Sequence, residues 1–258
     1  MTGDDHVLAR DLAGQAGQRL LELRAQGGDP DVLRKAGDRL SHEFLTAARA
    51  GQRPGDVVLS EEGADNPARL GARRVWIVDP LDGTREFGEP GRSDWAVHVA
   101  LWERTGDGSG DLTAGAVALP AQGTVLSTLE PPPGRPGDEA PARIGIVVSR
   151  SRPPSFVRNI SGLINAELVP LGSAGAKVAA VIYGEVDAYV HGGGFYEWDT
   201  AAPVAVARAA GLHASRIDGS ALAYNQPDLL MPDILVCRPA VAGTLLQAIR
   251  EVTNAAAS

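Results

Sequence analysis

Between positions 131 and 141 the chain reads Pro131-Pro132-Pro133-Gly134-Arg135-Pro136-Gly137-Asp138-Glu139-Ala140-Pro141, and no helix interior or central strand can run through it. Each proline fixes its own φ and has no amide proton to donate, so the stretch reads as an exposed connection. It divides the chain into an N-terminal half, 1–140, and a C-terminal half, 141–258, whose patterns differ. The first half opens with two amphipathic helices. In 5–26, Leu8, Leu12, Ala16 and Leu20 recur at helical spacing, and in 31–50 Leu33, Ala36, Leu40, Phe44 and Ala48 do the same. Short β-branched runs bounded by turn signals follow at 56–60, 74–78, 95–102, 113–119 and 124–129. In the second half, strands at 144–148, 167–171, 186–191 and 234–237 alternate with helices at 155–165, 174–183, 200–210 and 241–252. The expected class is therefore α+β in the first half and layered α/β in the second.

Charge narrows the function. The net charge of −8 argues against a nucleic-acid polymer as partner, because that surface needs clustered Lys and Arg. An acidic protein acting on an anionic substrate needs bound cations to supply a local positive field. No apolar run approaches the roughly 20 residues of a membrane helix, and the first residues lack the basic-then-apolar pattern of a cleaved signal. Cys237 is the only cysteine, so no internal disulfide can form, and a reducing cytoplasm is the expected setting.

The chemistry concentrates in Arg74-Val75-Trp76-Ile77-Val78-Asp79-Pro80-Leu81-Asp82-Gly83-Thr84. An apolar strand runs into Asp79, and Pro80 is expected to stop it, leaving Asp79 and Asp82 at a rigid strand end. Gly83 allows a close bend, so that the Gly83 and Thr84 amides can face an anion. The run 56–60 ends in the same fashion at Glu61-Glu62-Gly63, and Glu197-Trp198-Asp199 precedes a helical pattern, with Asp199 expected at its N-cap. Carboxylates converging on one pocket repel each other unless protonated or bound to cations. Mg²⁺ resolves the conflict: it is hard, takes oxygen ligands and keeps waters for chemistry. Two such ions about 3.5–4 Å apart can clamp a phosphoryl group. Zinc is the weaker choice without clustered His and Cys. His98 and His191 fall on strands and read as packed or surface residues, not as catalytic bases.

These segments resemble a known family. Asp79-Pro80-Leu81-Asp82-Gly83-Thr84 is similar to the first signature of inositol-monophosphatase-like enzymes, and Trp198-Asp199-Thr200-Ala201-Ala202 resembles their second. Glu61-Glu62 lies at the matching place upstream, and the order fits from about residue 5 to residue 240. The resemblance implies a layered αβαβα sandwich of the sugar-phosphatase type and a phosphoric monoester hydrolase needing two or three Mg²⁺ ions. Mn²⁺ is then an acceptable substitute, Li⁺ an inhibitor, and a homodimer an admissible assembly. It further implies that Glu61, Asp79, the Leu81 carbonyl, Asp82 and Asp199 ligate metal, with Glu61 also holding the attacking water. The Gly83 and Thr84 amides would hold the phosphate and the Thr84 hydroxyl would orient the water. Asp38 is the candidate partner of Thr84, in a stretch, 34–38, that lacks the family's threonines. Glu61, Leu81, Asp82 and Asp199 would also touch the substrate.

Within the family, the nearest likeness is to the phosphatases of 3′-phosphoadenosine 5′-phosphate. Val147-Val148-Ser149-Arg150-Ser151 resembles one of their segments, with Arg152 in place of a histidine. Gly172-Ser173, with Lys177 nearby, resembles another, so Ser173 and Lys177 are substrate-side candidates. A bisphosphate carries a second phosphate away from the metals, and Arg150, Arg152 or Lys177 would meet it. The expected reaction is in-line attack by activated water on the 3′-phosphate, releasing AMP and phosphate in sulfur assimilation. The rival readings are a phosphatase of inositol 1-phosphate or fructose 1,6-bisphosphate, a non-catalytic nucleotide sensor, and a glycosidase with paired carboxylates.

Overall fold

The computed structural model describes residues 2–132, 140–151 and 153–257. Most of the proline-rich connection and the candidate Arg152 therefore lie outside the described residues. Two helices, α1 (Thr2–Ala25) and α2 (Pro30–Gln52), lead into β1 (Val57–Ser60) and β2 (Arg74–Asp82). A short helix, α3 (Thr84–Gly88), precedes the strands β3 (Ala96–Arg104), β4 (Gly110–Leu119) and β5 (Thr124–Ser127). These strands form one sheet in sequence order, parallel only between β1 and β2.

The second half runs β6 (Gly145–Ser149), α4 (Ser155–Ile164), β7 (Glu167–Leu171), α5 (Ala174–Tyr183), β8 (Ala188–His191) and β9 (Phe195–Tyr196). It ends with α6 (Glu197–Ala209), β10 (His213–Ser215), β11 (Leu230–Met231), β12 (Ile234–Cys237) and α7 (Pro239–Ala257). Its sheet has the order β10-β12-β8-β6-β7, and β9 pairs separately with β11.

The period of two along each strand builds five layers. Trp76, Val78, Val97, Val99 and Leu101 pack with Leu8, Leu12, Ala16 and Leu20 of α1. Their sequence neighbours Val75, Ile77, Ala96 and Ala100 face the opposite way, onto Val178 and Ile182 of α5 and Ala201 and Val204 of α6. The same middle layer takes Val147, Tyr189, Ile234 and Val236 from one face of the second sheet. The other face, with Ile146, Val148, Val190 and Leu235, meets Val157 and Ile160 of α4 and Val241 and Leu245 of α7. The result is an αβαβα sandwich. α6, from the second half, lies against the first sheet and so brings its own N-terminus to the end of β2. No helix among the described residues is long and apolar enough to cross a membrane.

One helix departs from its sequence pattern. The buried line of α2 is Gly37, Ser41 and Leu45, whereas Leu33, Phe44 and Ala48 are half-buried at its sides. The reason is contact: a Cβ on Gly37 would stand 2.9 Å from Phe87 and 3.0 Å from Leu81, so the glycine lets α2 press against β2 and α3.

Candidate metal centre

Strand β2 supplies the floor. Asp79 continues the Val75–Ile77 face toward α5 and α6, where it is buried. The strand does not stop at Pro80, as its sequence predicts, but continues to Asp82. β1 ends at Ser60, opposite Val78, so Pro80 has no neighbour there that would need its missing amide. Toward β3 the register shifts between Asp79 and Asp82, a bulge that re-aims the side chains beyond it. Gly83 then turns the chain into α3 at φ 83°, where a Cβ would lie 3.1 Å from the Asp94 carbonyl. The Thr84 hydroxyl stands 3.0 Å from the Leu81 carbonyl and 3.4 Å from Asp38 Oδ1, bringing α2 into the site.

Glu61 sits just past β1 at the rim of the site; the residue keeps an exposed edge, while its carboxyl lies against that of Asp79 and is largely withdrawn from water. Asp199 comes from the opposite half. It is not the cap of α6, because that helix already begins at Glu197. Asp199 is instead the third helical residue, and its Oδ2 accepts the Tyr196 amide at 2.6 Å.

The electrostatics separate Asp82 from its neighbours. Asp82 Oδ2 accepts the Ser173 hydroxyl at 2.5 Å and the Gly175 amide at 2.8 Å, both from the start of α5. Burial works against its charge, but His98, Lys177 and Ser173 outweigh burial and hold its pKa at about 2. The other acids are pushed the opposite way. Burial, then the charges of Asp199, Asp82 and Asp38, raises Glu61 to about 7. Burial with Glu61, Asp82 and Asp199 raises Asp79 well above the carboxylate range. Burial and Asp82 raise Asp199 to about 6, and burial and Glu62 raise Asp38 to about 7. Asp79 Oδ1 accepts the Leu81 amide at 3.0 Å, whereas its buried Oδ2 receives no hydrogen bond. Among the described residues no arginine forms an ion pair with Glu61, Asp79, Asp82 or Asp199. A pocket of oxygen donors with an orphaned buried oxygen and no arginine to neutralise it fits a hard divalent cation.

The substrate-side candidates are placed differently. The Ser173 hydroxyl is engaged with Asp82, and it accepts the Ala176 amide at 3.0 Å as the cap of α5. Lys177 is buried, its ammonium donating to the Ser173 carbonyl at 2.7 Å and lying 5.3 Å from the Tyr189 ring centre. Burial lowers its pKa, against the pull of Asp82, Glu86, Asp199 and Asp94. Arg150 is paired with Glu86 at 2.7 Å and Glu89 at 2.9 Å, so its guanidinium is held on α3 and not at the carboxylate cluster.

Sequence reasoning missed His98 as part of the site. It is fully buried, opposite Asp79 in the β2–β3 ladder. Its Nδ1 donates to the Trp198 carbonyl at 3.2 Å, and its Nε2 lies 3.2 Å from Asp82 Oδ2. One ligand atom each from Asp79, Asp82 and His98 falls within 4.8 Å of the others. Position 98 follows Ala96 on a strand facing the middle layer, but only the ladder register shows that it meets Asp79.

Residues 8–254 match the model of the inositol monophosphatase family. The chain is 51% identical over 255 residues to a 3′-phosphoadenosine 5′-phosphate phosphatase of Mycobacterium leprae, covering 96% of this chain and 94% of that one. It is 31% identical to the 3′(2′),5′-bisphosphate nucleotidase CysQ of Escherichia coli, over 83% of this chain and 91% of the relative. In fold it is similar to inositol monophosphatase-II of Staphylococcus aureus, at a TM-score of 0.78, 22% identity and 92% coverage of each chain.

Proposed function

The chain belongs to the inositol monophosphatase family, and we propose that it removes the 3′-phosphate of 3′-phosphoadenosine 5′-phosphate to give AMP and inorganic phosphate. The single observation that carries the reading is the meeting of Glu61, Asp79, Asp82 and Asp199 from both halves around a point without arginine. Full-length likeness to relatives named for this reaction supports the choice of substrate.

Glu61, Asp79, the Leu81 carbonyl, Asp82 and Asp199 would hold Mg²⁺. When bound, the ions neutralise the phosphoryl oxygens and make a nearby water acidic. The chain's own groups do the rest. Ser173 and the Gly175 amide fix one oxygen of Asp82, leaving the other to face the site. The Thr84 hydroxyl would accept the attacking water's hydrogen bond while donating to Asp38, and Asp38 Oδ1 would take up the proton. A pKa of about 7 suits Asp38 to that exchange near neutral pH. The Gly83 and Thr84 amides would hold the phosphate, and Lys177 would add positive field beside Asp82 and Asp199. Oxygen ligands also suit Mn²⁺, and family membership is the basis for expecting Li⁺ to inhibit. Residues 1–140 and 141–258 are in this reading two lobes of one catalytic unit.

Phosphate release measured in parallel on 3′-phosphoadenosine 5′-phosphate, inositol 1-phosphate and fructose 1,6-bisphosphate tests the proposal. We expect the nucleotide to lead in kcat/KM by more than about tenfold, or about 1.4 kcal/mol, and all release to stop in a chelator. Equal turnover of the three esters would defeat the substrate assignment, and undiminished release in the chelator would defeat the metal reading.

A further inference from the structure

Arg69 lies in a short 3-10 turn, Pro67–Gly71, of the connection that follows Glu61, and it is completely buried. Its Nε and Nη2 donate to the Asp65 carboxylate at 2.7 and 3.3 Å. Nη1 donates to Asn225 Oδ1 at 2.9 Å and Nη2 to the Gln226 carbonyl at 2.8 Å, while Asn225 Nδ2 donates back to the Arg69 carbonyl at 3.1 Å. From the other side, the buried Glu197 carboxylate accepts the Asn225 amide at 2.6 Å and the Gln226 amide at 2.7 Å. Glu197 is the first residue of α6, on the same helical turn as Asp199. Asn225 is held at φ 58°, a left-handed conformation that asparagine adopts more readily than other non-glycine residues.

We infer that Arg69, Asn225 and Glu197 form a clamp that fixes the Glu61-bearing loop against the Asp199-bearing end of α6 and so presets the metal site. The inference rests on the metal reading proposed above. Glu61 and Asp199 repel each other across the cleft, so the two segments need another bond between them to stay at ligand distance. The guanidinium suits the task because its planar fork reaches a carboxylate, an amide oxygen and a carbonyl at once. None of the three side chains is placed among the metal ligands, so they act as positioning residues. Outer partners of this kind set ligand geometry and typically alter metal affinity by 10–100-fold.

The test is calorimetric titration of the purified protein with Mg²⁺ alone. Arg69→Lys keeps the charge and loses the fork. Asn225→Gly keeps the left-handed backbone at no steric cost and removes both side-chain bonds. Each is expected to bind Mg²⁺ about tenfold more weakly. As a control, Asp187→Asn breaks the buried pair between Asp187 and Arg238 (2.8 Å) in the second sheet. It is expected to lower the melting temperature and leave Mg²⁺ affinity unchanged. The clamp is overturned if folded Asn225→Gly binds within about twofold of the natural protein, or if Asp187→Asn weakens binding as much. A natural protein that takes up no Mg²⁺ would instead remove the metal reading itself, and the clamp with it.

Discussion

The two ends of β2 are both crowded with acids, and they are neutralised in opposite ways. At the amino end, Arg74 meets Asp56 at 3.0 Å, Asp5 at 3.0 Å and Glu103 at 2.7 Å. Arg53 adds a bond to Asp5 at 2.9 Å, and the Trp76 indole donates to Asp56 at 2.8 Å. Burial disfavours the charge on Arg74, but its carboxylate partners outweigh burial and raise its pKa. At the carboxyl end, Glu61, Asp79 and Asp199 have no arginine among the described residues, and burial and one another's charge outweigh the pull of Lys177 and His98, so their pKa values rise toward the neutral form. An acidic cluster that belongs to the fold brings its own cations. One that lacks them is completed from solution.

That contrast can be broken most forcefully at Asp82. Asp82→Asn is expected to lower phosphate release about a thousandfold, or about 4 kcal/mol of barrier, while circular dichroism stays that of a folded protein. Activity kept at saturating Mg²⁺ would erase the distinction between the ends. A paired substitution sharpens it. Asp56→Asn leaves Arg74 short of a partner and is expected to cost about 2 kcal/mol of stability, read by denaturant unfolding, with turnover unchanged. Asp79→Asn, measured in a chelator at neutral pH, is expected to do the reverse and stabilise by about 1 kcal/mol, because the folded chain must hold Asp79 protonated while the unfolded chain ionises it, and asparagine escapes that cost. Destabilisation by both would mean that the two clusters are alike.

The smallest effect is in pH. Without metal, the folded chain keeps protons on Glu61, Asp38 and Asp199 up to about 7, 7 and 6, whereas the unfolded chain loses them near 4.5 for Glu and 3.8 for Asp. The folded state therefore binds more protons between these limits, and its stability falls as pH rises. Melting temperature in a chelator is expected to drop from about pH 4 to about pH 7, as Glu61, Asp38 and Asp199 in the folded chain lose their protons. Saturating Mg²⁺, which binds only the ionised acids, should flatten that slope. Equal slopes with and without Mg²⁺ would place the titrating groups elsewhere.

Much of this was legible in the sequence wherever the signal was local. The α1 stripe, the strand leading to Asp79 and the alternation after residue 141 all follow from spacing, and they give the layers. Pro80 misled because its cost depends on whether a neighbouring strand needs an amide there, and β1 ends one step too early to need it. Asp199 looks like a helix cap because acids favour that position, whereas α6 begins two residues earlier, at Glu197. His98 and Arg69 are opaque in the sequence for one reason: each is buried by partners from another element. Arg69 looks like a loop base in the sequence, yet its amide partner is Asn225, at the far end of the chain.

Gly37 lies inside α2, where its missing side chain lets the helix press against β2 and α3. A glycine inside a helix gives up roughly 0.5–1 kcal/mol relative to alanine, so drift alone would tend to replace it. Here even a methyl group would run into Phe87 and Leu81, pushing α2 outward and carrying Asp38 away from Thr84. Lys35 and Arg39, on either side, are exposed and open to change. Among descendants of this chain, Gly37 should therefore tolerate as little change as Asp38 beside it, although it carries no chemical group to explain that.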